Sequence, residues 1–473
     1  MLTPNEIEFV KRVHQRILEY IEKGKEKGFN DLATIDYILS DIDFSIDEPH
    51  DFQEMENFID LYMSNSVNTI STNFYNQLYS GFSPMGYVGE AITGLTNNSM
   101  YTKEMSPAAT IMEQSLIQKM SNLIGYENGF GTFVPGGSNA NLIAMLCARE
   151  RAIPRSREKG LFNSSTLVAF ISEEAHYSFL KAGYQIGIGL DNIIRVPCDI
   201  NGRMDVKELE KMITISIEKG DVPFFVGATA GTTVRGVFDP INKIANLSEK
   251  YKLWFHIDGS WGGSTLLSKR HSHLVKGSEH SDSFSWCAHK MMGVPISCTA
   301  LITKQRDFLK EINCVEGTDY LFHGNENEQT DLGLHSLQCG RRVDSLKLWL
   351  AWKHVGDEGY EKKINHLFTM ANYAEKKVRN SEMLGLVSPV ESLNICFRIQ
   401  HNKFGNDEWD DLTKKVRDKM IKDGRIMVNH ATIDGLSCIR LITVNFNLSE
   451  EDIDYFFKQV EDSTIEFVNE KFN

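Results

Sequence analysis

The chain lacks every common metal-ligand spacing. Its eight cysteines are Cys147, Cys198, Cys287, Cys298, Cys314, Cys339, Cys396 and Cys438. They form no CxxC pair and no Cys/His cluster, so no metal site is expected. Several lie inside apolar segments, which reads as buried free thiols in a reducing compartment rather than a disulfide framework. No apolar run is long enough to span a bilayer. The N-terminus is charged and without the apolar stretch of a secretory leader, so a cytoplasmic location is expected. Positive charge is in deficit: 50 Lys and Arg against 64 Asp and Glu give a net charge of −14. That balance disfavours nucleic acid and anionic membrane as partners. Internal repeats and low-complexity segments are missing too.

What is present suits a large globular protein. The 473 residues can bury a sizeable core over two or three domains, and 41% hydrophobic with 24% charged content is ordinary. Thr3-Pro4-Asn5-Glu6 is a capping box with proline at the first helical position, and Ile7, Val10, Ile17 and Ile21 follow at near-helical spacing. That helix is expected to pack on its own protein or on a second subunit. Residues 82–99, rich in Gly, Ser, Asn and Thr, read as a loop leading into a helix from Pro107 that stops at Gly125. Gly136-Gly137-Ser138 then opens onto another helix, the local chemistry of an anion site. The complete GxGxxG dinucleotide fingerprint is absent.

Short apolar runs recur at 167–171, 193–196, 223–228, 253–257, 283–286 and 300–303, with helical stretches at 205–219 and 240–251 between some of them. This alternation argues an α/β fold with a mostly parallel central sheet. From about residue 355 the pattern changes to a small C-terminal α+β domain. The expected division is an N-terminal helical segment over 1–80, a large α/β domain over 81–354 and the small domain over 355–473.

The chemistry gathers at the ends of two runs. Leu253–Ile257 ends in Asp258, and about thirty residues later Ser283–Ala288 leads to His289-Lys290. In open α/β sheets ligands bind at that edge. A lysine among apolar residues can act as a nucleophilic amine, and an aspartate can keep a ring nitrogen protonated. Together they suit pyridoxal phosphate. Alone, Asp258 would pass for a helix cap. Gly259 and Ser260 are small enough to let a flat ring lie close. His176, just beyond another strand, could stack on the opposite ring face, though by itself it equally fits an exposed loop. Gly137, Ser138, Thr233 and His289 could complete a phosphate cradle.

Longer strings add a resemblance. Phe74-Tyr75-Asn76-Gln77-Leu78, residues 228–233 (Ala-Thr-Ala-Gly-Thr-Thr), His256-Ile257-Asp258, residues 289–294 (His-Lys-Met-Met-Gly-Val) and residues 338–344 (Gln-Cys-Gly-Arg-Arg-Val-Asp) resemble the group II pyridoxal-phosphate decarboxylases, in their glutamate and cysteine-sulfinate branch. The likeness runs over most of the chain. It implies the fold type I architecture of pyridoxal-phosphate enzymes and a homodimer with active sites at the subunit interface. It also implies that Lys290 holds the cofactor covalently, Asp258 pairs with its ring nitrogen and His176 stacks on it. Tyr320, in a polar loop that continues through residues 324–329, would return a proton to the product. One departure stands beside the lysine: the family commonly has Asn-Pro-His-Lys, and this chain has Cys287-Ala288-His289-Lys290. Cysteine is a poor donor, so phosphate binding would need another group.

The resemblance also bears on the substrate. Arg440 matches an arginine that contacts a substrate carboxylate, and a guanidinium suits carboxylate or sulfinate. Gln77, Tyr79, Ser99 and Tyr101 fall on pocket segments. Tyr79, Ser99 and Tyr101 look like the cysteine-sulfinate and acidic-amino-acid type, and tyrosine in place of serine at 79 adds bulk that favours a shorter acidic side chain. Decarboxylation of cysteine sulfinate or aspartate, ahead of glutamate, is the expected activity. The alternatives are the same chemistry on an aromatic or diamino acid, or a catalytically weak binding relative.

Overall fold

The computed structural model describes residues 2–24, 38–40, 44–162, 164–315, 317, 321–322 and 330–472. Two compact units emerge. The smaller gathers Met1–Gly81, Thr369–Ser388 and Asn394–Asn473; the larger gathers Phe82–Phe368 and Pro389–Leu393.

The first strand, β1 (Phe74–Tyr75), belongs to the smaller unit. The next seven build the sheet of the larger unit. They are β2 (Phe130–Val134), β3 (Leu167–Ser172), β4 (Ile193–Val196), β5 (Val222–Thr229), β6 (Trp254–Asp258), β7 (Ser283–Cys287) and β8 (Thr299–Thr303). Their spatial order is β2-β8-β7-β6-β5-β3-β4. Parallel pairs join β4, β3, β5, β6 and β7, while β8 runs antiparallel to both its neighbours. Every residue of β2, β3, β6, β7 and β8 is buried. A sheet covered on both faces buries both sets of side chains, which is why burial does not alternate along these strands. Phe255, Ile257 and Phe284 each contribute about 1.5–3 kcal/mol by such burial. The helix Gly137–Ala152 packs across β5, β6, β7 and β8. Parallel order brings the ends of β3, β5, β6 and β7 to one edge, where the polar residues emerge.

The smaller unit holds β9 (Leu384–Leu386), β10 (Asn394–Ile399), β11 (Met427–Ile433) and β12 (Leu436–Ile442). Its sheet order is β1-β11-β12-β10-β9, with β1 parallel to β11 and the other pairs antiparallel. The helix Pro4–Lys23 carries the expected capping box at Thr3 and Glu6. Arg12 and Arg16 tie it to Glu56 on the helix Phe52–Ser64. Its Ile7, Val10 and Leu18 are exposed. Among the described residues no helix is long and apolar enough to cross a membrane.

Three local expectations need correction. Pro84–Thr96, within the expected loop, is a helix, capped by the Ser83 side chain with Pro84 at its first position. Gly86 and Gly89 serve close packing rather than turning: a Cβ on Gly89 would stand 2.6 Å from the Lys347 Cα. Strand β2 was not anticipated, because its short run is broken by Gly131, whose missing Cβ leaves room for the Leu301 carbonyl. Strand β11 was also missed, since Asn429, His430 and Thr432 fall between its two buried residues, Val428 and Ile433, and leave no apolar run.

Candidate active site

A cavity of about 240 Å³ opens at the C-terminal edge of the parallel strands. Gly137, Ser138, His176, Thr233, Asp258, Ser260, His289 and Lys290 all line it, together with Tyr177, Thr229, Gly231, Trp261 and Cys287. Each lining segment follows a strand: β2 leads to Gly137, β3 to His176, β5 to Thr229, β6 to Asp258 and β7 to Lys290.

Asp258 is buried, and its three hydrogen bonds come from uncharged donors. Asn141 Nδ2 donates to Oδ2 at 2.8 Å; the Ser260 N–H and Ser285 Oγ donate to Oδ1, each at 3.0 Å. Burial pushes the carboxyl up, but the bonds from Ser260 and Asn141, with Lys290 nearby, outweigh it and hold the group below its ordinary value. Asp258 is therefore a carboxylate at neutral pH. Lys290 is half-buried, followed by the buried Met291 and Met292. Burial lowers the pKa of His176, and the nearby Asp258 only partly offsets this. Its Nδ1 lies 2.9 Å from Ser178 Oγ, and the Tyr177 ring packs 4.2 Å away. His289 is held neutral by burial, its pKa pushed down to about 4.

The phosphate side can be checked in the same way. The first turn of the helix Gly137–Ala152 presents N–H groups with no intrahelical acceptor. Gly136 has open space where a Cβ would lie, whereas a Cβ on Gly137 would collide with Ser260 Oγ. Thr299 Oγ1 donates to Cys287 Sγ at 3.1 Å, so the thiol next to the turn is used as an acceptor. Thr229 Oγ1 is buried with no hydrogen-bond partner, a polar atom awaiting one. A carboxylate at the strand edge, a half-buried amine, a helix N-terminus and an orphaned hydroxyl around one cavity fit pyridoxal phosphate.

The match to known proteins is direct. The pyridoxal-dependent decarboxylase conserved domain covers residues 37–400. The chain belongs to the pyridoxal-dependent decarboxylase family. Among its relatives, the acidic amino acid decarboxylase GADL1 of Xenopus tropicalis is 35% identical over 463 residues, covering 95% of this chain and 88% of that protein. Cysteine sulfinic acid decarboxylase of Mus musculus is 36% identical over 409 residues, covering 84% of this chain and 83% of that one. The crystal structure of mouse CSAD in apo form superposes with a TM-score of 0.93 at 32% identity, covering 98% of this chain and 99% of that one. The family member is thus an amino-acid decarboxylase that uses pyridoxal phosphate, and its larger unit has the fold type I architecture.

The remaining predicted residues are not among those that line this cavity. Ser99 Oγ donates to the Cys339 carbonyl at 3.2 Å, and Tyr101 packs against Phe322 and Gly333. In the smaller unit, Arg440 is buried, and its Nη2 donates to the Asn76 carbonyl at 3.0 Å. Gln77, next to Asn76 in the chain, donates its amide to Asn76 Oδ1, and the Tyr79 ring lies 6.4 Å from that of Phe74. Tyr320 and residues 324–329 fall outside the described residues. Sequence reasoning missed Thr229, Tyr177 and Asn141. Thr229 could have been found, since it ends an apolar strand beside Asp258; Asn141 is marked only by its three-dimensional contacts.

Proposed function

We propose that this decarboxylase acts on a small acidic L-amino acid, cysteine sulfinate or aspartate in preference to glutamate. The observation that carries the reading is the buried Arg440 guanidinium beside Asn76 and Gln77 in the smaller unit. It supports recognition of a carboxylate or sulfinate. Tyr79, where glutamate decarboxylases have serine, adds bulk that favours a shorter side chain, and Ser99 and Tyr101 resemble the cysteine-sulfinate type. The names of the relatives, acidic amino acid decarboxylase and cysteine sulfinic acid decarboxylase, agree with it.

In this reading Lys290 would hold the cofactor covalently through its aldehyde. Gly137, Ser138, Thr233 and His289 bind the phosphate. Ser260 is small enough to let the ring lie against the backbone, and His176 would stack on it. Asp258 keeps a proton on the ring nitrogen, its charge preorganised by the three donors around it. When bound, pyridoxal phosphate supplies an electron sink for the bond between Cα and the departing carboxylate. Tyr320 returns a proton to Cα. Two copies of the chain form a cytoplasmic homodimer with interfacial sites, and the exposed Ile7, Val10 and Leu18 of the first helix suit that contact.

The test is kcat/KM for glutamate, aspartate and cysteine sulfinate with cofactor present. A clear preference for glutamate defeats the substrate assignment. Borohydride reduction of the holoenzyme should label Lys290; an unlabelled Lys290 defeats the assignments around it. Tyr320→Phe should divert turnover to side reactions and lower the amine yield. An unchanged yield removes Tyr320 from the mechanism.

A further inference from the structure

A buried chain of hydrogen bonds runs from Trp254 at the start of β6 to the cavity at its end. The indole Nε1 lies 2.8 Å from Ser283 Oγ, which lies 2.8 Å from His256 Nδ1. His256 Nε2 lies 3.0 Å from Asn141 Oδ1. The Asn141 amide nitrogen then reaches Asp258 Oδ2 at 2.8 Å and Ser178 Oγ at 2.9 Å. Ser178 meets His176 Nδ1 with its hydroxyl at 2.9 Å and its backbone N–H at 3.3 Å. All of these residues belong to the larger unit.

The two ends of the chain fix its hydrogens independently. An indole N–H can only donate and a carboxylate can only accept. From the Trp254 end, the Ser283 oxygen accepts from the indole, and its other partner among the described residues is His256 Nδ1, so a hydroxyl that uses its own proton donates it there. His256 must then carry its proton on Nε2 and donate it to Asn141 Oδ1. From the Asp258 end, the carboxylate requires the Asn141 NH₂, which turns Oδ1 towards His256 and again demands a proton on Nε2. Both routes give one order. The second N–H of Asn141 goes to the Ser178 oxygen, so the Ser178 hydroxyl and N–H both point at His176 Nδ1. The proton of a neutral His176 is left on Nε2.

We propose that Asn141 is a positioning residue that presents Asp258 as a carboxylate and His176 as its Nε2–H tautomer, in an order imposed from Trp254 through Ser283 and His256. One planar amide thereby sets the protonation of groups on two different strand ends. The proposal deepens the reading in which Asp258 faces the cofactor's ring nitrogen, and its consequence for binding rests on that reading. The hydrogen order itself needs no cofactor. The charged and titratable groups that bear on the network are Lys290, His256 and His176 around Asp258, and Lys290 and Lys181 with Asp258 around His176. His256 lies between the Phe179 and Phe225 rings, 6.0 Å from each.

Histidine-selective ¹⁵N NMR or neutron diffraction of the cofactor-free protein reads the tautomers directly. Nε2–H at His256 and His176 is expected; Nδ1–H at His256 overturns the order. Fluorescence titration with pyridoxal phosphate then tests the consequence. Asn141→Ala should weaken binding about tenfold or more, the worth of a lost charge-assisted bond. The isosteric Asn141→Asp is the sharper variant and fills the same space if the alanine variant fails to fold. It sets two carboxylates side by side at about pH 8, which should weaken binding more than about tenfold. On acidification one shared proton restores a donor towards Asp258 and an acceptor towards His256. The ratio of variant to wild-type dissociation constants should therefore fall towards about pH 6. A space-filling role predicts parallel pH profiles, and that result overturns the proposal. Failure of borohydride to label Lys290 would instead strike the underlying reading and leave the measured tautomers standing.

Discussion

Glu113 and Asp258 are both buried acids of the larger unit, and their partners differ in kind. Glu113 faces the Arg341 guanidinium at 2.8 Å, with the Phe133 N–H and Thr132 hydroxyl on its other oxygen. A second ionic cluster, of Glu90, Asp344, Arg342 and the buried Lys347, lies in the same unit. Asp258 takes its bonds from an amide, a backbone N–H and a hydroxyl. An acid already matched by a cation has little field left to offer. An acid held mainly by neutral dipoles stays charged and can still attract an incoming cation, which under the proposed function would be the protonated ring of the cofactor. Burial alone therefore does not mark a functional carboxylate; the charge of its partners does.

The contrast has measurable consequences. Asp258→Asn should lower kcat by about 10²–10³-fold, as for loss of a preorganised electrostatic partner, while the denaturation midpoint moves little. Arg341→Ala should do the reverse. It leaves Glu113 buried without its cation and should lower stability by about 3–5 kcal/mol, read by chemical denaturation, with kcat per folded molecule maintained. If Arg341→Ala instead spared stability and removed activity, the distinction would fail. Gly89→Ala should lower stability by about 1–3 kcal/mol, because the new methyl meets the Lys347 backbone rather than a movable side chain.

The smallest effect is a pH slope. Burial holds His256 neutral in the fold, with its pKa pushed down to about 4 from 6.5. Unfolded, it takes a proton near its ordinary value. Between those limits the unfolded chain binds more protons, so stability falls as pH drops through the window. One such histidine accounts for about 1.4 kcal/mol per pH unit. His256→Gln should remove that share of the acid slope. An unchanged slope would mean that His256 already titrates in the fold.

Much of the larger unit could be read from residue order. Strands β3, β5 and β6 are largely apolar runs, β7 alternates serine with aromatic residues, and the segments at their ends supplied Asp258, His176 and Lys290, which share one cavity. The misses have definite causes. In Pro84–Thr96 the glycines look like loop residues, and only the position of Lys347 explains Gly89. Strand β11 did carry a signal. It joins β12 through Asp434-Gly435, both at positive φ (50° and 81°), a dipeptide suited to a tight hairpin. Asn141 was invisible because its partners Asp258 and His256 lie more than a hundred positions downstream.

Strand β1 pairs with β11, Phe74 against Met427. Ribosomal synthesis delivers these partners at opposite ends of the process. The larger unit can gather all seven strands of its sheet while the early segment still has no strand to join. Assembly of the smaller unit is therefore a late event, and a chain cut off before residue 427 would leave its first eighty residues without their sheet.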